Sequence, residues 1–180
     1  GIAEVLFNLG YTVTGSDKKE SDITNRLTDM GIEITYDHSA SNLKRVEMVV
    51  VSSAISESNP EIKEAKKRSI PVLARAEMLS SLMNTKRGIA IAGTHGKTST
   101  TSIVASIMTE AGLDPTFING GIINSFNSNA QLGKGKYLIA EADESDQSFL
   151  LLQPSMSIIT NIEPDHLVNY ENSFENLKIA

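Results

Sequence analysis

The chain has 180 residues, 40% of them hydrophobic and 21% charged, with a net charge of −6; these proportions are ordinary for a folded domain. No apolar run approaches the length of a membrane span, and the negative charge argues against a nucleic-acid surface, which is normally basic. The absence of cysteine excludes disulfides and thiolate metal sites, and without a secretory signal we expect a cytoplasmic protein.

The first half of the sequence alternates helical and strand patterns. The predicted elements are, in order, a helix over 2–9, a strand over 11–14, a helix over 23–30 with Ile23, Leu27 and Met30 on its apolar face, a strand over 32–35, a buried strand over 46–51, a helix over 61–68, a strand over 70–74 and a helix over 76–83. This alternation predicts parallel βαβ units with right-handed crossovers. The chain starts without Met inside one helix and stops inside another, so we expect a fragment.

Polar residues follow the predicted strands of this half. Asp17 stands where doubly wound nucleotide-binding folds often hold a ribose, although such a residue commonly just caps a turn. His38 lies in a polar loop, and Ser52, Ser53 and Ala54 follow the strand over 46–51. Because ligands bind beyond the carboxyl ends of parallel strands, these groups could share one crevice.

A phosphate-binding loop is the strongest local signal. The apolar run 88–92 predicts a buried strand and 99–108 a helix, and the small residues between them would point backbone N–H groups at one spot. Lys97 would add a cation for the terminal phosphates, and Thr98 a hydroxyl for magnesium. The pattern is not the usual one, since Ile91 stands where the first glycine is expected; a plain glycine-rich turn is the alternative. Candidate nucleotide-binding residues are Gly93, Thr94, His95, Gly96, Lys97, Thr98 and Ser99.

This loop begins a new strand-loop-helix unit, which predicts domains over 1–84 and 85–180. The second domain should continue with a strand over 116–118, a close-approach loop at Asn119-Gly-Gly, an exposed Asn-rich connection over 124–131, a strand over 137–140 and a strand over 157–162.

Two of the strands in this domain end in polar clusters. The strand over 137–140 is followed by four acids within 141–146, and the last strand by Glu163-Pro-Asp-His166. A solvated acidic loop and a satisfied surface histidine are the plain alternatives. Thr98, Glu141 and His166 nevertheless follow strands that should end at one edge of the sheet, where we expect a metal-dependent site.

Three spaced segments resemble the Mur ligases: Ala92-Gly-Thr-His-Gly-Lys-Thr98, Glu141-Ala-Asp-Glu-Ser-Asp146 and Thr160-Asn-Ile-Glu-Pro-Asp-His166. The first half agrees through Gly1-Ile-Ala-Glu-Val-Leu6, Gly15-Ser-Asp17 and Val50-Val-Ser-Ser-Ala-Ile55, so the resemblance spans nearly the whole chain. Ser145 and Asp146 favour the members that attach L-alanine over those that recycle murein tripeptide, whose acidic segment usually has an aromatic residue after the second Glu.

The resemblance implies an α/β protein with a Rossmann-like domain for a UDP-sugar, followed by the start of a P-loop-type ATPase domain. It implies ATP and Mg²⁺ as cofactors and UDP-N-acetylmuramate and L-alanine as substrates, joined through an acyl phosphate. The implied roles are catalysis by Lys97, Glu141 and His166, metal ligation by Thr98, Glu141 and His166, and substrate binding by Asp17, His38, Ser52, Ser53, His95 and Asn119. The expected first strand, the rest of the ATPase domain and a third domain are not in this sequence, and the oligomeric state is left open. A tripeptide-recycling ligase, a folate-type polyglutamate ligase and a nucleotide-binding fragment without ligase activity are the alternatives.

Overall fold

The computed structural model describes residues 1–123, 126 and 128–180. It contains six α-helices within those ranges: α1 (Ile2–Asn8), α2 (Asp22–Asp29), α3 (Pro60–Lys67), α4 (Arg75–Asn84), α5 (Lys97–Glu110) and α6 (Phe174–Ile179). The strands there are β1 (Thr14–Ser16), β2 (Glu33–Thr35), β3 (Val49–Val51), β4 (Val72–Ala74), β5 (Arg87–Ala92), β6 (Thr116–Ile123), β7 (Ser128–Gln131), β8 (Tyr137–Glu141) and β9 (Met156–Ile159). No helix in these ranges combines the length and hydropathy that a bilayer crossing requires.

The chain forms two compact units, one of residues 3–78 and one of residues 79–180 with residues 1–2. In the first unit β1 pairs in parallel with β2, and β3 with β4. Helix α2 connects the two strands of the first pair and α3 those of the second, as βαβ units require. Local signals explain the helices: Ser21 and Thr24 form a capping box at the start of α2, and the Asn59 side chain accepts the Glu61 N–H before α3.

The second unit is built on a five-stranded sheet in the order β7-β6-β8-β5-β9, parallel except for the β6–β7 pair. Helix α5 packs against the strands of this sheet, and a buried apolar cluster fills the layer between them. Its members are Ile89, Ile91, Ala105, Phe117, Ile123 and Ile139. The α/β fold with mainly parallel sheets is therefore confirmed, and β5 stands in the middle of the parallel part.

Several predicted elements of the first unit differ from the structure. The strand expected over 11–14 lies at Thr14–Ser16, because its pairing with β2 begins at Thr14. Ile23 is 63% exposed, since the capping box turns Thr24 inward instead. The strand expected to be buried over 46–51 spans only Val49–Val51, and Val50 is 38% exposed. Within the described residues β3 pairs only with β4, so no strand is hydrogen-bonded to its other edge.

The second unit also corrects three predictions. Asn119, Gly120 and Gly121 lie inside β6 rather than in a loop, at a point where the register with β7 is irregular. Of the Asn-rich connection predicted over 124–131, Ser128–Gln131 is a strand with Ser128 and Ala130 buried, while residues 124, 125 and 127 lie outside the described residues. The last strand spans Met156–Ile159 rather than 157–162 and is exposed, because it lies at the edge of the sheet.

Candidate active site

The loop between β5 and α5 has the backbone of an anion-binding turn. Gly93 and Gly96 have positive φ angles of 130° and 83°, which strongly favour glycine. Gly96 is the N-cap of α5, and no side chain caps the helix there. The first N–H groups of a 14-residue helix therefore face the loop without a side-chain acceptor, an arrangement that suits phosphate.

The segment after β9 holds this loop in place. The Thr160 hydroxyl donates to the His95 carbonyl at 2.6 Å, and the Asn161 side chain both accepts the His95 N–H and donates to its carbonyl, each at 3.0 Å. A Cβ on Gly93 would collide with Thr160 Oγ1 and lie 2.9 Å from the Asn161 carbonyl. The loop backbone is thus fixed by a neighbouring strand end, and Gly93 is required by space as well as by its φ angle.

Lys97 is anchored between the loop and the acidic segment. Its ammonium donates to the Gly93 carbonyl at 2.7 Å and to Glu144 Oε2 at 2.8 Å. Glu144 is buried, and its other oxygen, Oε1, lies 3.3 Å from His166 Nδ1. The structure therefore brings the predicted residues Lys97 and His166 together through Glu144, which the sequence did not single out from the acidic run.

Glu141 and Thr98 each lie beside a glycine of β6. The Gly120 N–H donates to Glu141 Oε1 at 2.9 Å. A Cβ on Gly120 would lie 2.9 Å from Glu141 Oε2, and one on Gly121 would lie 3.0 Å from Thr98 Cγ2. The two side chains thus pack against adjacent residues of one strand, and a larger residue at either glycine would displace its neighbour.

These two groups are oxygen donors of the kind that Mg²⁺ prefers. Mg²⁺ usually takes one or two protein ligands and completes its shell with water and substrate phosphates. A hydroxyl and a carboxylate beside a phosphate-binding loop fit that demand. His166 contacts Glu144 rather than Glu141, and no group of three or more His, Cys, Asp or Glu side chains in the described ranges is arranged as a metal site.

The remaining predicted residues of this unit lie outside the contacts that join Lys97, Glu144 and His166. The His95 ring is exposed, 3.7 Å from the Glu163 carboxylate, and Ser99 is exposed in the first turn of α5. Asn119 is buried, and its amide donates to Ser102 Oγ and to the Gly121 carbonyl. That amide therefore secures the irregular part of β6 against α5.

In the first unit, His38 belongs to a polar cluster at the end of β1. Its Nδ1 lies 3.1 Å from Ser16 Oγ and 3.4 Å from Glu61 Oε2. Ser16 donates to the same Glu61 oxygen at 2.7 Å, and Asn42 donates to the other, also at 2.7 Å. His38 is thus fixed by two partners that the sequence did not reveal.

Asp17 and the serines after β3 are exposed. The Asp17 carboxylate accepts the Lys19 N–H at 3.1 Å, so it caps a turn in this structure. Its backbone N–H extends the β1–β2 pairing by donating to the Thr35 carbonyl. Ser52 and Ser53 lie in the turn that follows β3, where the Ser52 carbonyl accepts the Ile55 N–H.

Tyr170 packs against the acidic segment that contains Glu144. It is buried, and its hydroxyl donates to the Glu144 carbonyl at 2.6 Å. Burial, followed by the negative charges of Glu144, Asp146 and Asp143, raises the pKa of Tyr170 above its ordinary value. The phenol therefore stays protonated to a higher pH than an ordinary tyrosine and continues to donate its O–H to the Glu144 carbonyl.

Comparison with known proteins assigns both halves of the chain. The family model described as "Mur ligase family, catalytic domain" matches residues 1–87, and "Mur ligase middle domain" matches residues 91–180. A protein of Pelobacter propionicus named UDP-N-acetylmuramate–L-alanine ligase is 58% identical over 99% of this chain. The match covers 39% of that relative, so the chain spans about two fifths of its length.

Solved structures agree with this fold. A UDP-N-acetylmuramate-alanine ligase from Thermotoga maritima is 34% identical with a TM-score of 0.92, and the match covers 99% of this chain and 42% of that one. A UDP-N-acetylmuramate:L-alanyl-gamma-D-glutamyl-meso-diaminopimelate ligase from Neisseria meningitides has a TM-score of 0.89 at 24% identity, over 99% of this chain and 61% of that one. At that identity the second likeness concerns the fold alone.

Proposed function

This chain belongs to the Mur ligase family, and we propose that the protein carrying it joins L-alanine to the lactyl carboxylate of UDP-N-acetylmuramate at the expense of ATP. The observation that carries the substrate assignment is the 58% identity, across nearly the whole chain, to a ligase of that name. The site geometry supports the chemistry, because an anion-binding loop, the Lys97 ammonium and the Glu141 carboxylate follow neighbouring strands of one sheet.

The reaction has to activate a carboxylate, which is a poor electrophile in water. Transfer of the γ-phosphoryl group of ATP to a carboxylate oxygen gives an acyl phosphate and ADP. Attack by the amine of L-alanine on the acyl carbon then forms the amide, releasing phosphate and a proton. The first step depends mainly on positioning and charge neutralisation.

In this proposal the loop amides and Lys97 bind the β- and γ-phosphates of ATP. The Gly93 carbonyl already holds the Lys97 ammonium at this loop. Thr98 and Glu141 would hold Mg²⁺, and His166 a second ion nearer the sugar carboxylate. Bound metal would neutralise charge between the two anionic substrates and polarise the phosphoryl oxygens.

The sugar nucleotide is assigned to the first unit. Asp17, His38, Ser52 and Ser53 are the proposed contacts for uridine and diphosphate, and His95 and Asn119 for the muramoyl part. Of these residues, His38 already has its ring held in place, since Ser16 and Glu61 both contact it. Asp17 would have to exchange its turn contact with the Lys19 N–H for a substrate hydroxyl.

Phosphate release from ATP, measured on the full-length protein with and without UDP-N-acetylmuramate, tests this proposal. L-Alanine, glycine and L-serine are compared as acceptors, and in a separate reaction murein tripeptide is the acceptor. We expect release that requires the sugar nucleotide and is fastest with L-alanine. Release only with tripeptide would assign the recycling activity instead, and no release under any combination would leave a nucleotide-binding domain without ligase chemistry.

A further inference from the structure

Glu144 contacts both functional groups that the sequence placed on separate segments. Its Oε2 accepts from the Lys97 ammonium at 2.8 Å, and its Oε1 lies 3.3 Å from His166 Nδ1. The side chain is only 7% exposed, whereas that of Lys97 is 15% exposed. A desolvated carboxylate of this kind is stable only while its partners stay in place.

We propose that Glu144 is a positioning residue that sets both the place of the Lys97 ammonium and the tautomer of the His166 ring. An ionised carboxylate only accepts hydrogen bonds, so the ring nitrogen facing it must carry the proton. Nδ1 is then the donor, and Nε2 of the neutral ring keeps its lone pair. Nε2 lies 3.9 Å from Asp165 Oδ2, which is too far for a hydrogen bond.

Two hydrogen bonds hold the backbone carbonyl of Glu144 in place. Tyr170 donates to the Glu144 carbonyl at 2.6 Å, and the Gln147 N–H donates to the same atom at 3.2 Å. His166 itself has a positive φ of 55°, and its own N–H donates to the Asp165 side chain at 2.8 Å. The backbones that carry the His166 imidazole and the Glu144 carboxylate are therefore both held by hydrogen bonds.

The consequence is a ring poised to use Nε2. A histidine that ligates a metal almost always donates its other N–H to an outer acceptor, and losing that acceptor typically costs 10- to 100-fold in affinity or activity. The assignment of Nε2 to a metal or a phosphate rests on the proposed function. The tautomer follows from the contacts alone, so the two can fail separately.

The test compares Glu144→Gln with Glu175→Gln in the full-length protein. Glu175 makes the matched contact, since its carboxylate also lies 2.8 Å from a lysine ammonium, that of Lys178, but its side chain is 73% exposed. Lys97 and His166 contact different oxygens of Glu144. Glutamine keeps the shape of the side chain but replaces one of these oxygens with an NH₂ donor, so one of the two partners loses its acceptor. Glu144→Asp is measured alongside, because its carboxylate is one methylene too short to reach both nitrogens and it keeps the charge if the amide variant does not fold.

Two readouts are taken, the first without metal or substrate. Long-range ¹H–¹⁵N NMR on histidine-labelled protein reports the tautomer of His166, with its signals identified by their loss in His166→Gln. We expect Nδ1–H in the wild type and in Glu175→Gln, and a shift toward Nε2–H in Glu144→Gln and Glu144→Asp. The same ring state in all the folded variants would overturn the proposal.

The second readout is the Mg²⁺ concentration that gives half-maximal phosphate release. We expect it to rise about 10- to 100-fold in Glu144→Gln and to stay unchanged in Glu175→Gln. A tautomer shift without a change in the Mg²⁺ requirement would confirm the positioning of the ring and refute its use as a metal ligand. If the wild type releases no phosphate, the proposed function fails while the tautomer result still stands.

Discussion

Replacing Gly120 with alanine should damage the active site while leaving the fold almost intact. The added Cβ would lie 2.9 Å from Glu141 Oε2, and ordinary contact begins at 3.4 Å, so the carboxylate must retreat by about 0.5 Å. The hydrogen bond from the Gly120 N–H to Oε1, now 2.9 Å, would stretch beyond the usual range. The backbone at Gly120 is not in the left-handed region, so alanine adds no strain there.

The magnitude follows from these distances. A displacement of about 1 Å in an active site can cost 10²-fold in rate, so half that displacement should lower kcat roughly tenfold. The Glu141 carboxylate, which accepts this hydrogen bond, retains some contact with water. Losing the hydrogen bond should therefore cost no more than about 1 kcal/mol of stability. Alanine is also the better strand residue by roughly 0.5–1 kcal/mol, so the midpoint of thermal unfolding should scarcely move.

Gly112→Ala is the matched control for this variant. Gly112 follows α5 with a φ of 71°, and no neighbouring group lies within 4 Å of the position that a Cβ would take. Alanine there should cost about 1–2 kcal/mol of stability through backbone strain and leave kcat unchanged. The assay is ADP release with saturating substrates, a Mg²⁺ titration and thermal unfolding. Unchanged kcat and Mg²⁺ requirement in Gly120→Ala would refute the placement of Glu141 at the reacting centre.

Three further changes have separable outcomes. Lys97→Ala should lower kcat/KM by about 10²–10³, because a group that stabilises developing charge is worth roughly 3–4 kcal/mol, and steady-state kinetics would show a smaller loss if the ammonium only supports the loop. Asp17→Asn should raise the KM for the sugar nucleotide with little change in kcat; equal KM values in the two proteins would leave Asp17 as a turn cap. Tyr170 contributes stability that is complete below its ordinary pKa of 10.0 and is lost as the pH rises through its raised pKa. The free energy of unfolding should therefore fall more steeply with pH in the wild type than in Tyr170→Phe once the pH rises above about 10, and parallel slopes in urea titrations would contradict the raised pKa.

The phosphate-loop unit was readable from sequence because its signals are local. A buried apolar run, small residues and a helix follow one another between Arg87 and Glu110, and each has one dominant interpretation. The sequence did not show which face of α5 packs against the sheet. Ile103 and Ile107 are exposed, whereas Thr101 and Ala105 are fully buried, since the close approach of α5 to the sheet favours small side chains over large ones.

The irregular part of β6 shows where local propensity is overridden. Asn119, Gly120 and Gly121 are poor strand formers, so the sequence favours a loop. The Glu141 carboxylate accepts the Gly120 N–H, and the Asn119 amide donates to the Gly121 carbonyl. The Glu141 contact comes from β8, so the local sequence of residues 119–121 could not reveal it.

The difference between Glu141 and Glu144 could not be predicted either. Both belong to one acidic run, and only two residues lie between them. Glu141 ends β8 and turns toward β6, whereas Glu144 lies beyond the strand and meets Lys97 and His166. Only the positions of distant segments distinguish the two carboxylates, and the same holds for the Thr160 contact that holds the phosphate loop.

The most direct test of the proposed chemistry is to trap the acyl phosphate. The full-length protein is incubated with ATP, Mg²⁺ and UDP-N-acetylmuramate without L-alanine, and borohydride is added to reduce an activated lactyl carboxyl group to an alcohol. The account predicts an ATP-dependent alcohol product with the wild-type protein and almost none with Lys97→Ala. Ligation of L-alanine without a trapped alcohol, or equal trapping in the two proteins, would contradict phosphoryl transfer to the carboxylate at this loop.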